Sequence, residues 1–353
     1  MSTFGGEEVK STWVTRRVDD SRIDWEPLQH PGLGDLVLCE VVKLGIHGRV
    51  ETVSGSREKL YEGDRIVCAV GNRYATSLLE AVGELGDGDF DLVSASGVCG
   101  RVVQRAKKAT TPTKLRALGQ AFVGGRPVNV GDHALAPASV SAGTDPRWIV
   151  VVGSAMDSGK TTACTALIHG LRASGASVGA GKVTGTASAR DFGSFRDAGA
   201  RPFVDFLDFG WASTAGCTES ELLRVLDGVA DHLRAAGVEW AVLEIADGLL
   251  QADTNFLLGS LASHLGPDTS VVLTVRESLA GVAGVEILRA RDLHVSAVSG
   301  LITNSPLSCA EVELACSVAC VPTSELGRRM AKGRLAPRSA SGRRAERRGA
   351  PAA

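Results

Sequence analysis

No stretch of this 353-residue chain approaches the roughly 20 consecutive apolar residues that a bilayer requires. Its opening, Met1-Ser-Thr-Phe-Gly-Gly-Glu-Glu, lacks the charged and apolar regions of a signal peptide. A cytoplasmic protein with no membrane partner is expected. No CxxC pair occurs among the eight cysteines: Cys39, Cys68, Cys99 and Cys164 sit singly in apolar segments. Cys309, Cys316 and Cys320 form a looser group, better read as buried small thiols than as a metal cluster. Lysine is scarce, nine against twenty-nine arginines. Aromatic residues do not interleave with basic ones as in single-strand binders, so nucleic acid is not an expected partner.

The formal net charge of −2 hides an asymmetry, because residues 328–353 carry nine Arg or Lys against one Glu and leave the remainder near −10. The body is mildly acidic and the tail basic. The length suggests about two domains, and the sequence divides accordingly. Residues 1–30 mix charges with Trp13 and Trp25 without a clear period and read as an arm. Residues 31–138 read as a β domain, because Gly-Asp turns at Gly34-Asp35, Gly63-Asp64 and Gly131-Asp132 each announce a short apolar run. Strands are expected over 36–42, 49–53, 65–70, 92–95 and 98–103. Asn72-Arg73-Tyr74 and Ser96-Gly97-Val98-Cys99-Gly100 are its candidate ligand or interdomain loops, and Lys107-Lys108 is a weaker phosphate candidate. A linker over 136–146 leads to a second domain over 147–327, and 328–353 reads as a disordered basic tail.

The second domain opens on Trp148-Ile-Val-Val-Val-Gly153-Ser-Ala-Met-Asp157-Ser-Gly159-Lys160-Thr161-Thr162. Four apolar residues ending in Gly fit a parallel strand buried on both faces. Cys164, Leu167, Ile168 and Leu171 then recur at helical spacing. A Gly-rich loop between strand and helix suits a triphosphate, since small residues let consecutive N–H groups curl around it and the helix N-terminus adds positive potential. Gly153, Ser154, Asp157, Ser158, Gly159, Lys160, Thr161 and Thr162 are the expected nucleotide-binding residues, with Lys160 on the β- and γ-phosphates and Thr161 on Mg²⁺.

Further along, Lys182 and Thr184 fall at the carboxyl end of a second strand, where open α/β sheets bind ligands. Asp191, Asp197, Asp205 and Asp208 follow among Phe192, Phe195 and Trp211, and suggest an acceptor pocket with aromatic walls. An amphipathic helix over 219–236, with Leu222, Leu226, Val229 and Leu233 on one face, precedes Trp240-Ala-Val-Leu-Glu244-Ile-Ala-Asp247. A strand ending in carboxylates is a second P-loop sign, so Glu244 and then Asp247 are expected metal ligands with Thr161. Two more buried strands, over 270–275 and 295–302, lead to Asn304, whose amide offers the donor and acceptor that read an adenine edge.

Taken together, residues 147–323 resemble dethiobiotin synthetase and its relatives among the SIMIBI-class P-loop ATPases. That family also has five residues between Gly and Gly-Lys-Thr, as in Gly153 to Thr161, and a Lys before a Ser/Thr-Gly pair, like Lys182 with Thr184-Gly185. The resemblance implies Mg²⁺ at a Glu like Glu244 and adenine at an Asn like Asn304. The chain departs from the synthetase where Lys182-Val and Glu244-Ile-Ala-Asp247 replace the family's Lys-Pro and Gly-rich stretches, and where a β domain precedes the ATPase. A β domain before such an ATPase also resembles polynucleotide 5′-hydroxyl kinases, without their Asp-x-Gly-Gln element.

The expected fold is therefore α/β: a P-loop NTPase with a mostly parallel sheet, preceded by a small β-barrel or β-sandwich. The expected function is Mg²⁺-ATP-dependent phosphotransfer to a hydroxyl of a small-molecule acceptor, with Lys160, Lys182, Asp191, Asp197 and Asp208 catalytic. Activation of a carboxylate or carbamate, as in the synthetase, is the alternative enzyme. A nucleotide-dependent accessory protein, resembling the molybdopterin-guanine dinucleotide partner NTPases, is the alternative outside catalysis. A homodimer is left open.

Overall fold

Short β-branched runs separated by Gly-Asp turns pair with one another until no edge remains. In the computed structural model, which describes residues 2–85, 90–139 and 145–335, five strands close a barrel. They are β1 (Leu36–Lys43), β2 (Arg65–Val70), β3 (Phe90–Leu92), β4 (Val98–Arg105) and β5 (Thr113–Val123). The ring runs β2-β1-β5-β3-β4, and a parallel pairing of β4 with β2 completes it. Alternate residues point inward, so Val37, Cys39, Val41, Ile66, Cys68, Val70, Cys99 and Leu115 fill the barrel. Three cysteines that stand far apart in sequence meet there, with the Sγ atoms of Cys39, Cys68 and Cys99 within 4.8 Å of one another. β3 begins at Phe90, two residues before the expected strand, because the barrel takes Phe90 and Leu92 as inward residues.

Residues 2–26 are woven into this sheet rather than forming a separate arm. Ser2–Phe4 pairs with Glu7–Ser11, which runs parallel beside β2, and Asp24–Glu26 pairs with β5. A hairpin of Arg73–Ala75 and Leu79–Val82 extends β4 outward.

The second domain is a six-stranded parallel sheet. Its strands are β6 (Arg147–Gly153), β7 (Val178–Lys182), β8 (Phe203–Asp205), β9 (Trp240–Gly248), β10 (Ser270–Thr274) and β11 (His294–Ser299), in the order β8-β7-β9-β6-β10-β11. Helices α1 (Lys160–Ala173), α2 (Ala189–Asp197), α3 (Glu219–Ala235), α4 (Ala252–Leu265), α5 (Ser278–Arg289), α6 (Pro306–Cys316) and α7 (Leu326–Ala331) surround it. The strand period of two sorts its residues between two cores: Ile149 and Val151 pack with α1, whereas Val150 and Val152 face α3, α4 and α5. Thr218 and Glu221 form a reciprocal capping box that fixes where α3 begins.

The basic tail starts later than its composition suggests. Arg328 and Arg329 belong to α7, which docks on α1 where Gly170 and Gly327 let the two backbones touch; a Cβ on Gly170 would lie 2.8 Å from the Gly327 Cα. Met330 and Leu335 are buried there, and the tail beyond residue 335 lies outside the described residues.

The two domains share one apolar cluster, which runs from the outside of the barrel to the α3 side of the parallel sheet. Trp13 meets the Phe192 ring edge-on at 5.1 Å between centroids. Arg16 donates to Asp205 at 2.7 Å and lies 2.9 Å from Asp208, all three side chains being buried.

Candidate functional site

β6, an interior strand, delivers the phosphate loop at the carboxyl ends of the sheet's strands, and glycine is required at both ends of that loop. A Cβ on Gly153 would stand 2.2 Å from the Ser158 hydroxyl, and Gly159 caps α1 with φ of 102°. The Ser158 hydroxyl turns inward to Thr274 at 2.8 Å and ties the loop to β10, so that side chain positions the loop instead of facing a ligand. Lys160 begins α1 and is 6% exposed, with its ammonium donating to the Ala155 carbonyl at 2.8 Å. Burial lowers the Lys160 pKa, against the pull of Glu244 and Asp247. Phosphate oxygens in the loop would reverse that balance.

Glu244, on β9 beside the loop strand, is 2% exposed. One of its oxygens accepts from the Thr161 hydroxyl at 3.2 Å, with the Lys182 ammonium 3.7 Å away. The other, Oε2, is buried without a hydrogen-bond partner among the described residues. Such an orphaned acceptor beside a hydroxyl is what a Mg²⁺ site offers, since Mg²⁺ takes hard oxygen ligands and keeps places for phosphate and water. Thr161 and Glu244 fit that ion, and Asp247 lines the same cavity. Burial raises the pKa of Glu244, opposed by Lys182, and raises that of Asp247, opposed by Lys160.

Lys182 ends β7 and is ion-paired with Asp191 of α2. Burial works against its charge, but Glu244 and then Asp191 more than compensate and hold the ammonium above its ordinary range. Lys182 is thus the central cation of a compact acid–base cluster.

Lys160, Thr161, Lys182, Asp191, Glu244 and Asp247 all line one cavity of about 1350 Å³, together with Ser154, Asp157, Gly159 and Thr162. Several other expected site residues stand elsewhere. Asp197 is exposed at the far end of α2, six residues and about 9 Å along the axis from Asp191. Asp208 is committed to Arg16 on the opposite side of α2. Phe192 and Phe195 pack against Phe203 in the core, and Trp211 lies against Arg224; none of the three walls the cavity. β11 stops at Ser299, and residues 301–304 turn into a short 3₁₀ segment that leaves Asn304 exposed beyond Leu301, which does reach the cavity.

The other wall belongs to the β domain. His47, Glu51, Arg57, Asn72, Arg73 and Tyr74 line it. The hairpin carrying Arg73 is pinned across the cleft at two points: Asn72 donates to the Ala215 carbonyl at 3.0 Å, and Ser77 donates to Asp157 of the phosphate loop at 3.2 Å. Glu51 accepts the Ala189 N–H at 2.7 Å and so helps cap α2. The sequence flagged Asn72-Arg73-Tyr74 as a loop but gave no sign of His47, Glu51 or Arg57, which only strand pairing brings here. The other flagged loop is interior: a Cβ on Gly97 would stand 2.0 Å from the Thr12 hydroxyl.

No family model matches this chain, and no curated protein does. Among solved structures, the signal recognition particle receptor FtsY from Elizabethkingia anophelis is similar at 18% identity, over 45% of this chain and 51% of that one, with a TM-score of 0.33. The signal recognition particle 54 kDa protein of Aeropyrum pernix K1, solved with GDP, is similar at 17% identity over 56% and 47%, with a TM-score of 0.39. A duf1611 family protein from Anabaena variabilis is similar at 11% identity over 54% and 59%, with a TM-score of 0.38. This chain thus spans about half of the length of each. None of the three is a dethiobiotin synthetase, and the P-loop fold rests on the strand order and the loop itself. No helix among the described residues is long and apolar enough to cross a membrane.

Proposed function

We propose that the protein binds Mg²⁺-ATP on the 153–162 loop and transfers the γ-phosphoryl group to a hydroxyl of a small metabolite in the interdomain cavity. The observation that carries this reading is Glu244, whose buried and unpartnered Oε2 lies beside Thr161 at the foot of a loop that holds Lys160. The cavity supports a second substrate, because single-ligand pockets run to roughly 300–1,000 Å³ and this one is larger.

In the transfer, the bond from the γ-phosphorus to the bridging oxygen breaks and a bond to the acceptor oxygen forms. The hydroxyl proton passes to Asp191, and ADP leaves with its new charge stabilised by Lys160 and the loop amides. Mg²⁺, held by Thr161 and Glu244, would offset the charge of the β- and γ-phosphates. Lys182 faces the acceptor oxygen and the transferring group. A carboxylate or carbamate acceptor would use the same residues without needing a proton removed, and would yield an acyl phosphate for an amine to attack.

The test incubates the protein with ATP, and separately with GTP, in a metabolite extract and searches by mass spectrometry for a phosphorylated or newly joined product. A phosphorylated hydroxyl compound formed by wild type and not by Lys160→Ala is expected. Hydroxylamine trapping of an acyl phosphate would favour the carboxylate chemistry. Nucleotide binding with no product under any condition would leave the accessory-protein reading in its place.

A further inference from the structure

Arg73 is the least explained charge in the cavity. Its Nη1 donates to the Val93 carbonyl and lies 3.4 Å from His47 Nε2, while its Nε and Nη2 groups make no hydrogen bond with any described residue. No described carboxylate pairs with it, although Glu51 and Glu80 line the same wall. Glu51 accepts from the Ala189 N–H, and Glu80 accepts from the Gln104 amide. Arg57 and Arg190 stand nearby along the cavity lining, exposed and likewise free of ion pairs among the described residues. Burial pulls the Arg73 pKa down to about 10, which still leaves a full charge at neutral pH. His47 beside it adds no second charge there: burial, and then Arg73 itself, push its pKa down to about 4.

The Arg73 guanidinium is half-buried, and its free N–H groups open on the cavity with no counter-ion among the described residues, so water holds them until an anion takes its place. Its free edge presents parallel N–H groups, a geometry that matches the two oxygens of a carboxylate or phosphate. It is also held in place rather than floating, since Asn72 and Ser77 on either side are bonded across the cleft to Ala215 and Asp157.

We infer that the second substrate carries an anionic group, a carboxylate or a phosphate, bound by Arg73 on the β-domain wall while its reacting group lies toward Lys182 and Asp191. Arg57 and Arg190 draw the same anion in from solvent. This rests on the phosphotransfer reading for the reacting end, but not for the anion site. The barrel domain is then the specificity element, and neutral alcohols and sugars without an acidic group are poor substrates.

The test uses the full-length protein saturated with Mg²⁺ and a non-hydrolysable ATP analogue, so that the phosphate loop is filled, and titrates succinate and inorganic phosphate by calorimetry. Wild type is expected to bind at least one of them at one site per chain, and the one bound tells carboxylate from phosphate. Arg73→Ala should weaken it roughly tenfold to a hundredfold with the analogue affinity unchanged, and Arg73→Lys should fall between. Binding of neither anion by wild type, or equal binding by wild type and a folded Arg73→Ala, overturns the inference. Should Arg73→Ala fail to fold, Arg73→Lys and Arg57→Ala replace it, and unchanged anion affinity in both overturns the inference equally. If wild type does not bind the analogue, the titrations are repeated without nucleotide in a Lys160→Ala background. Succinate binding that Arg73→Ala abolishes would then keep the anion site while the nucleotide reading falls.

Discussion

Lys182 and Arg73 enter one cavity from opposite walls, the first as a buried cation and the second as a half-buried one. Lys182 arrives with Asp191 and Glu244 already placed around it, so its charge is stabilised by the fold. Arg73 has a carbonyl and a neutral imidazole for company, and burial lowers its pKa without opposition. The difference separates two uses of a charge in a cleft. One is part of a preassembled centre, whereas the other is left for a ligand to complete.

The sharpest way to break that comparison is through stability. Lys182→Ala leaves two carboxylates, one of them 2% exposed, without their cation, and should cost on the order of 3–5 kcal/mol. Arg73→Gln, which keeps a donor for the Val93 carbonyl, should change stability by less than about 1 kcal/mol. Equal losses for the two variants in denaturant titrations would mean that Arg73 is as structurally committed as Lys182. The same Lys182→Ala protein, where folded, should lose turnover far more than nucleotide affinity, because the missing charge acts on the acceptor and the transferring group.

Lys160→Ala should lose charge-assisted contacts worth about 1.5–3 kcal/mol each, read as a tenfold or greater fall in ATP affinity. An unchanged affinity would move the nucleotide off the lysine wall altogether. A smaller effect is expected at the base, which would have to extend past Leu301 and out of the cavity to reach the exposed Asn304: Asn304→Ala should then weaken ATP by about 1 kcal/mol while leaving GTP nearly unaffected, and an unchanged ATP affinity or a wild-type preference for GTP would reassign Asn304. The smallest effect near neutrality concerns His47. Its folded pKa of about 4 lies below the unfolded value of about 6.5, so the unfolded chain takes up a proton that the folded one refuses. Stability is therefore lost as pH falls through that window. His47→Asn should flatten this acid limb relative to wild type. Identical limbs in the two proteins would show that neither burial nor Arg73 presses on that imidazole.

Much of the lysine wall was legible because its signals are local. Helical spacing placed Cys164, Leu167, Ile168 and Leu171 inside α1, the loop announced itself by glycine spacing, and Lys182 stood at a strand end; Glu244 followed its apolar run as expected, although β9 continues past it to Gly248. Asp197 and Asp208 misled because a carboxylate near an active segment says nothing of the face it occupies: one turns to solvent and the other to Arg16. β5 went unread, since its bulges between Lys114 and Leu115 and between Ala117 and Gly119 break the alternation a strand normally shows. The arginine wall was legible only as a loop. Nothing in a linear reading brings His47, Arg57 and Arg73 together, because they stand on separate loops and hairpins that the barrel carries to one side of the cleft.

The three thiols sealed in the barrel give this molecule a built-in clock. Cys39, Cys68 and Cys99 are fully buried, as is Cys164 under the parallel sheet, so a thiol reagent reaches any of them only when the surrounding structure opens. Their labelling rates, resolved by peptide mass spectrometry, report the opening free energy of the barrel and of the P-loop domain separately. Cys99 inside the barrel and Cys164 on the α1 side of the sheet lie in separate cores, joined only through the apolar cluster between them; if that cluster couples the domains, the two thiols become reactive together, as one cooperative unit. A barrel that labels well before Cys164 would instead be a domain able to loosen while the phosphate loop stays folded.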